Sequence, residues 1–139
     1  MKTSLQSAVA LLVLMVGLAL AWPMTTSAAD VAGTYKCEGE NEMGGKYTGT
    51  VTIVKQDQTY RVTWKLGPRE TYFGLGVLQG DVLAVSYYES RLGVVAYKVE
   101  DDSKLVGKKA MVKGDGAVTT EILTRQPDNT VLPGKTGSQ

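Results

Sequence analysis

The stretch Thr59-Tyr60-Arg61-Val62-Thr63-Trp64-Lys65-Leu66 decides the fold. Tyr60, Val62, Trp64 and Leu66 alternate with Thr59, Arg61, Thr63 and Lys65, a strict period of two. Successive side chains of a strand point to opposite faces, so this split describes a strand with one buried and one wet side. Just upstream, Tyr47, Gly49, Val51 and Ile53 share one phase, and Thr48, Thr50 and Thr52 share the other. The same period recurs from Val31 to Gln126, and no apolar stripe at helical spacing competes with it. It predicts strands near 31–39, 46–56, 59–67, 71–79, 82–90, 94–101, 104–113 and 117–126.

Short breakers separate these runs: Asn41–Gly45, Asp57-Gln58, Gly67-Pro68, Gly80-Asp81, Arg91–Gly93, Asp101–Ser103 and Gly114–Gly116. Turns of this length and composition suit hairpins, whereas parallel pairing needs a long crossover for which the chain has no room. The result is an antiparallel meander. Left open it would expose two strand edges; closure removes them, and eight strands is a number at which a barrel closes around side chains or one small ligand. The expected fold is therefore all-β: a small antiparallel up-and-down β-barrel of about eight strands, lipocalin- or avidin-like, over 30–126, in preference to a two-sheet sandwich. Interior glycines at 49, 74, 76 and 107 are expected to let strands bend at barrel corners.

The N-terminus reads as an address. Lys2 precedes the unbroken apolar run Ala8 to Ala21, and Ser27-Ala28-Ala29 sets small residues just ahead of Asp30. That is the pattern of a cleaved signal peptide over 1–29, cut after Ala29 or Ala28, and the run is short of the ~20 residues a spanning helix needs. The reading implies an exported protein, periplasmic or secreted, with no stable membrane span after cleavage. At the other end, 127–139 is poor in apolar residues and is expected to be a disordered tail.

Composition narrows the chemistry. Among 139 residues there are 15 Lys plus Arg, 14 Asp plus Glu, one Cys and no His. The commonest general base and metal ligand is absent, and a lone Cys forms neither an intrachain disulfide nor a zinc cluster. Balanced charge lacks the basic field that nucleic acid requires. No phosphate-cradling loop, nucleophile elbow or metal motif occurs. The chain is expected to be non-enzymatic and to need no cofactor.

The candidate ligand-binding residues are Tyr60, Trp64, Tyr72, Tyr87, Tyr97 and Glu121. On an inward phase the aromatics would either fill the core or line a cup whose hydroxyls orient a small apolar ligand. Tyr72 and Phe73 face opposite ways, as do Tyr87 and Tyr88, so one of each pair lies outside or at the rim as a contact patch. Glu121 shares a phase with Leu123. If both face inward the carboxyl needs a partner, for which Lys109 or Arg61 is available; the alternative phase buries Val118 and Ile122 and leaves Glu121 in water. Lys108-Lys109 and Glu100-Asp101-Asp102 read as solvated turn or edge charges. Cys37 reads as a small buried hydrophobe, or as a thiol that pairs with another chain.

The chain also resembles a family of small exported bacterial proteins labelled fibronectin-binding. The resemblance rests on Gly33-x-Tyr35, Tyr47-x-Gly49-x-Val51-x-Ile53, Tyr60-x-Val62-x-Trp64, Gly74-x-Gly76, Leu83-Ala84-Val85-Ser86-Tyr87, Gly93-Val94-Val95-x-Tyr97 and Thr120-Glu121-x-Leu123, in that order and spacing. Lys108 stands where a Trp is expected after Gly107. The resemblance implies an exported binding module that adheres to an extracellular-matrix or envelope protein such as fibronectin. The alternatives are a carrier of a small apolar ligand in the barrel cup, or an enzyme inhibitor.

Overall fold

The computed structural model describes residues 29–112 and 115–127. The expected signal peptide, apart from Ala29, and the expected tail beyond Pro127 lie outside the described residues. Eight strands follow one another: β1 (Gly33–Glu40), β2 (Lys46–Gln56), β3 (Thr59–Lys65), β4 (Thr71–Gln79), β5 (Val82–Tyr88), β6 (Leu92–Asp101), β7 (Lys104–Met111) and β8 (Thr119–Arg125). Each pairs antiparallel with the next, and β8 returns to pair with β1, so the sheet is a closed barrel. No strand edge is left open along the ladder. No helix among the described residues is long and apolar enough to cross a membrane.

Strand ends depart from the expected ones where packing intervenes. The first strand begins only at Gly33 because Val31 turns in and is buried against the barrel base. The sixth begins at Leu92, which pairs with Tyr88 across a tight turn closed by the Glu89 amide donating to the Arg91 carbonyl.

The alternation read from Thr59 to Leu66 holds: Tyr60, Val62 and Trp64 are buried, while Arg61 and Lys65 are exposed. The lower part of the lumen is filled by Tyr35, Val51, Ile53, Leu83, Leu105 and Leu123, all buried. Beneath them, segment 30–32 closes the base. Arg125 donates from Nη1 to the Ala32 carbonyl at 2.7 Å, from Nη2 to the Asp30 carbonyl at 2.7 Å and from Nε to the Asp102 carbonyl at 2.7 Å. Its guanidinium lies 5.0 Å from the centroid of the Tyr35 ring. Tyr35 Oη in turn donates to the Val31 carbonyl at 3.0 Å.

The opposite end is bounded by the turns after β1, β3, β5 and β7. The first is rigid: Asn41 Oδ1 accepts from the amides of Met43 at 3.0 Å and Gly45 at 2.8 Å, and Gly44 takes a left-handed φ of 79°. An asparagine that caps its own turn in this way fixes the residues between.

Glycines within the strands act by yielding space more than by bending. Gly39 faces Tyr47 and Gly107 faces Tyr97 as direct cross-strand partners. A Cβ on Gly107 would lie 2.6 Å from the Tyr97 ring, and one on Gly39 would collide with the Tyr47 hydroxyl. Each aromatic ring lies flat over a neighbouring glycine, which is how a strand glycine admits a close approach.

Candidate functional site

One row across five strands builds the site. Reading round the barrel, Tyr47 on β2 pairs with Gly39 on β1, Gly39 with Glu121 on β8, Glu121 with Gly107 on β7, and Gly107 with Tyr97 on β6. Neighbouring strands are about 4.8 Å apart, so each tyrosine stands about 10 Å from Glu121 with a glycine between. The missing side chains let both rings lie down over the gaps, and their hydroxyls converge on one carboxylate.

Glu121 is inward and only 3 % exposed. Its Oε2 accepts from Tyr47 Oη at 2.5 Å. Its Oε1 accepts from Tyr97 Oη and from Trp64 Nε1, the latter at 3.0 Å. Three donors on two oxygens satisfy a buried carboxylate, which would otherwise be costly. Lys109 lies one hydroxyl further out: its Nζ donates to Tyr47 Oη at 2.6 Å and sits 4.4 Å from the centroid of that ring. Of the two cations available to Glu121, Lys109 therefore serves, bridged by Tyr47, while Arg61 is exposed on the outer face. This also corrects the reading of Lys108-Lys109 as a solvated pair. Lys108 is outside, but Lys109 shares the inward phase of Leu105 and Gly107.

Burial, followed by the Glu121 charge and its hydrogen bond, pushes the phenols of Tyr47 and Tyr97 up. Burial first and then Glu121 likewise push the Cys37 thiol up, so this buried free cysteine is a poor nucleophile. Near neutral pH the two phenols hold their protons and act as donors. Among the described residues, no group of three or more potential metal-ligating side chains converges.

Above this row the lumen opens as a cup of about 350 Å³, within the range of small-ligand sites. Trp64, Tyr72, Tyr87 and Glu121 line it, together with Leu66, Val95, Lys109 and Met111. Trp64 and Tyr87 pack with ring centroids 5.5 Å apart at an interplanar angle of 49°. Burial and nearby carboxylates push Tyr87 up to about 12; burial and the Glu89 side chain push Tyr72 up to about 12. At the mouth, Arg91 Nη2 reaches Glu42 Oε2 at 3.6 Å. These residues belong to the β5–β6 and β1–β2 turns, which stand four strands apart in the ring of eight, so the pair straddles the opening.

The structure thus brings Trp64, Tyr72, Tyr87 and Glu121 together. Tyr97 is fully buried beneath the floor, where its hydroxyl donates to Glu121 and accepts from Trp64 Nε1. Tyr60 is buried among core residues and does not line the cup. Sequence reasoning missed Glu42, Glu70, Glu89 and Arg91, which sit in turns where no periodicity marks a face; it offered Lys109 as a partner for Glu121 but also read it with Lys108 as a solvated pair, although its shared phase with Leu105 was a usable signal. Outside the barrel, Phe73 and Tyr88 are cross-strand partners, 61 % and 66 % exposed.

No protein-family model and no curated protein matches this chain. By shape it is similar to solved β-barrels. A redesigned barrel, mFAP1, bound to DFHBI, has a TM-score of 0.62 at 17% identity, covering 71% of this chain and 100% of its own. A fluorescence-activating β-barrel of de novo design has a TM-score of 0.53 at 17% identity, covering 74% of this chain and 100% of its own. A fatty acid transporter, REP1-NXSQ, has a TM-score of 0.50 at 16% identity, covering 72% of this chain and 98% of its own. At these identities the similarity establishes the class of fold alone, a closed all-β barrel.

Proposed function

We propose that this protein is an exported, non-enzymatic barrel that holds a small, largely apolar molecule in the cup above Glu121. The half-filled lumen carries the reading. Its base is packed solid, yet the mouth end keeps about 350 Å³ open, walled by aromatics over a fully partnered polar floor. A floor with its donors already aimed and its rings already wedged is preorganised, which lowers the entropic cost of binding. The barrels similar in shape include one bound to DFHBI and a fatty acid transporter, which accords with ligand binding as the use of this fold. A neutral naphthylamine dye, N-phenyl-1-naphthylamine, tests it. Its fluorescence should rise on titration with the protein and fall away in Met111→Trp, which fills the cup from β7. Equal binding to the variant would place the dye elsewhere and remove the support. Export is tested by the mass of the protein recovered outside the cytoplasm, which should begin at Asp30 or Ala29.

A second reading rests on a separate observation. Phe73, Leu75, Tyr88, Leu92 and Val94 are exposed together on the outer face of β4–β6, and contiguous exposed apolar surface marks contact sites. This face would serve adhesion to a matrix protein such as fibronectin. Micromolar binding to immobilised fibronectin, abolished by Tyr88→Lys, would favour it; no binding would retire it.

A further inference from the structure

The cup is unevenly charged. Four carboxylates line it, Glu42, Glu70, Glu89 and Glu121, against two cations, Arg91 and Lys109. Glu121 and Lys109 are committed to each other through Tyr47 at the floor. The remaining imbalance lies at the mouth, where three carboxylates face Arg91 alone. A cleft lined by one sign of charge between low-dielectric walls concentrates the field and selects ligands of the opposite sign.

One atom sharpens this. Arg91 takes only Oε2 of Glu42, and at 3.6 Å; Oε1 of Glu42 is buried with no hydrogen-bond partner. A buried acceptor without a donor is uncommon and calls for an explanation. The residue does not choose its place freely, because the Asn41-capped turn fixes the backbone on both sides of it. Nearby, Tyr72 and Tyr87 line the cup, and aromatic rings attract a cation placed over their faces.

Resting on the cup reading above, we infer that the ligand is an organic cation: an apolar or aromatic body seated over Trp64, with an ammonium, amidinium or guanidinium group at the mouth paired with the Glu42 carboxylate. Anionic ligands such as carboxylates are disfavoured by the same field. Arg91 is a competitor at the mouth and limits how strong the cation preference becomes.

Three probes of matched shape separate the possibilities by isothermal titration calorimetry on the purified protein: 3-phenylpropylammonium, 4-phenylbutyrate and 3-phenyl-1-propanol. The indole N–H signal of Trp64 reports whether each enters the cup. The ammonium should bind at least about tenfold more tightly than the carboxylate and the alcohol. Glu42→Gln, in an exposed turn, should weaken the ammonium about tenfold and leave the alcohol unchanged. Arg91→Gln should strengthen the ammonium. If the carboxylate or the alcohol shifts the Trp64 signal and binds as well as the ammonium, the cation assignment is wrong while the cup stands. If the ammonium binds but Glu42→Gln leaves its affinity unchanged, the assignment to Glu42 is wrong. If none of the three shifts the Trp64 signal, the cup reading fails and takes the inference with it.

Discussion

Replacing Glu121 by Leu keeps a side chain of similar bulk and removes both acceptor oxygens. The hydroxyl protons of Tyr47 and Tyr97 lose their acceptors at once, and Trp64 Nε1 keeps only Tyr97 Oη at 3.3 Å. A buried donor stranded in this way costs about 1–3 kcal/mol, so two phenols amount to about 2–6 kcal/mol. Lys109 also loses its counter-charge. Working against this, the carboxylate no longer has to be desolvated, and replacing a buried ion by an apolar group is sometimes neutral or stabilising. The balance is expected at about 2–4 kcal/mol of lost stability, a large share of the ~5–15 kcal/mol typical of a domain. With an m-value of about 1–3 kcal/mol per molar urea, the unfolding midpoint should drop by about 1 M or more. The double variant Glu121→Leu/Tyr97→Phe removes the stranded proton as well as its acceptor, and should be more stable than Glu121→Leu alone. A single variant that unfolds at or above the parent midpoint, or a double variant in which the two losses simply add, would refute the account of Glu121 as the hub of the floor.

Alkaline pH should weaken the barrel through its buried phenols. Burial raises Tyr35, Tyr87 and Tyr97 above the ordinary value of 10.0 in the folded state. Below about pH 10 both states keep these protons and nothing changes. As pH rises from there toward the folded values, about 12 for Tyr87, only the unfolded chain ionises and stability is lost, by about 1.4 kcal/mol per pH unit for each group. Urea midpoints at about pH 9 and about pH 11 check this, and equal midpoints would contradict it. Gly107→Ala should cost about 1–3 kcal/mol, because its Cβ would meet the buried Tyr97 ring at 2.6 Å and that ring has nowhere to go. Thermal melting should fall by roughly 4–8 °C per kcal/mol, and an unchanged melting temperature would show that the ring is not held over the glycine.

Most of the barrel was legible because alternation is a strong signal on a closed sheet, where every strand has one packed and one wet side. Tyr60, Val62 and Trp64 identified the inward face without ambiguity. Alternation fixes a residue's face but not its height along the axis. Tyr60 and Trp64 therefore read alike, although one is buried in the core and the other lines the cup. Glu121 was left between two phases because its own neighbours on both sides are mixed; only the glycines opposite it, Gly39 and Gly107, make the inward choice spacious, and their pairing depends on register. Lys109 was offered both as a partner for Glu121 and, with its twin at 108, as a wet edge, since adjacent like charges read as solvated even though adjacent strand positions must face opposite ways. Glu42 and Arg91 meet only because the barrel closes, so nothing local to either turn announces the pair.

The latch that Arg125 makes on Asp30 and Ala32 has a practical consequence. The first and last strands leave the barrel side by side at the plugged pole, and the open mouth of the cup faces away from both. A carrier domain, a solid support or an affinity handle joined directly at Asp30 or Pro127 would hang from that pole and leave the cup mouth unobstructed. Ligand measurements on an immobilised sample should then match those in free solution.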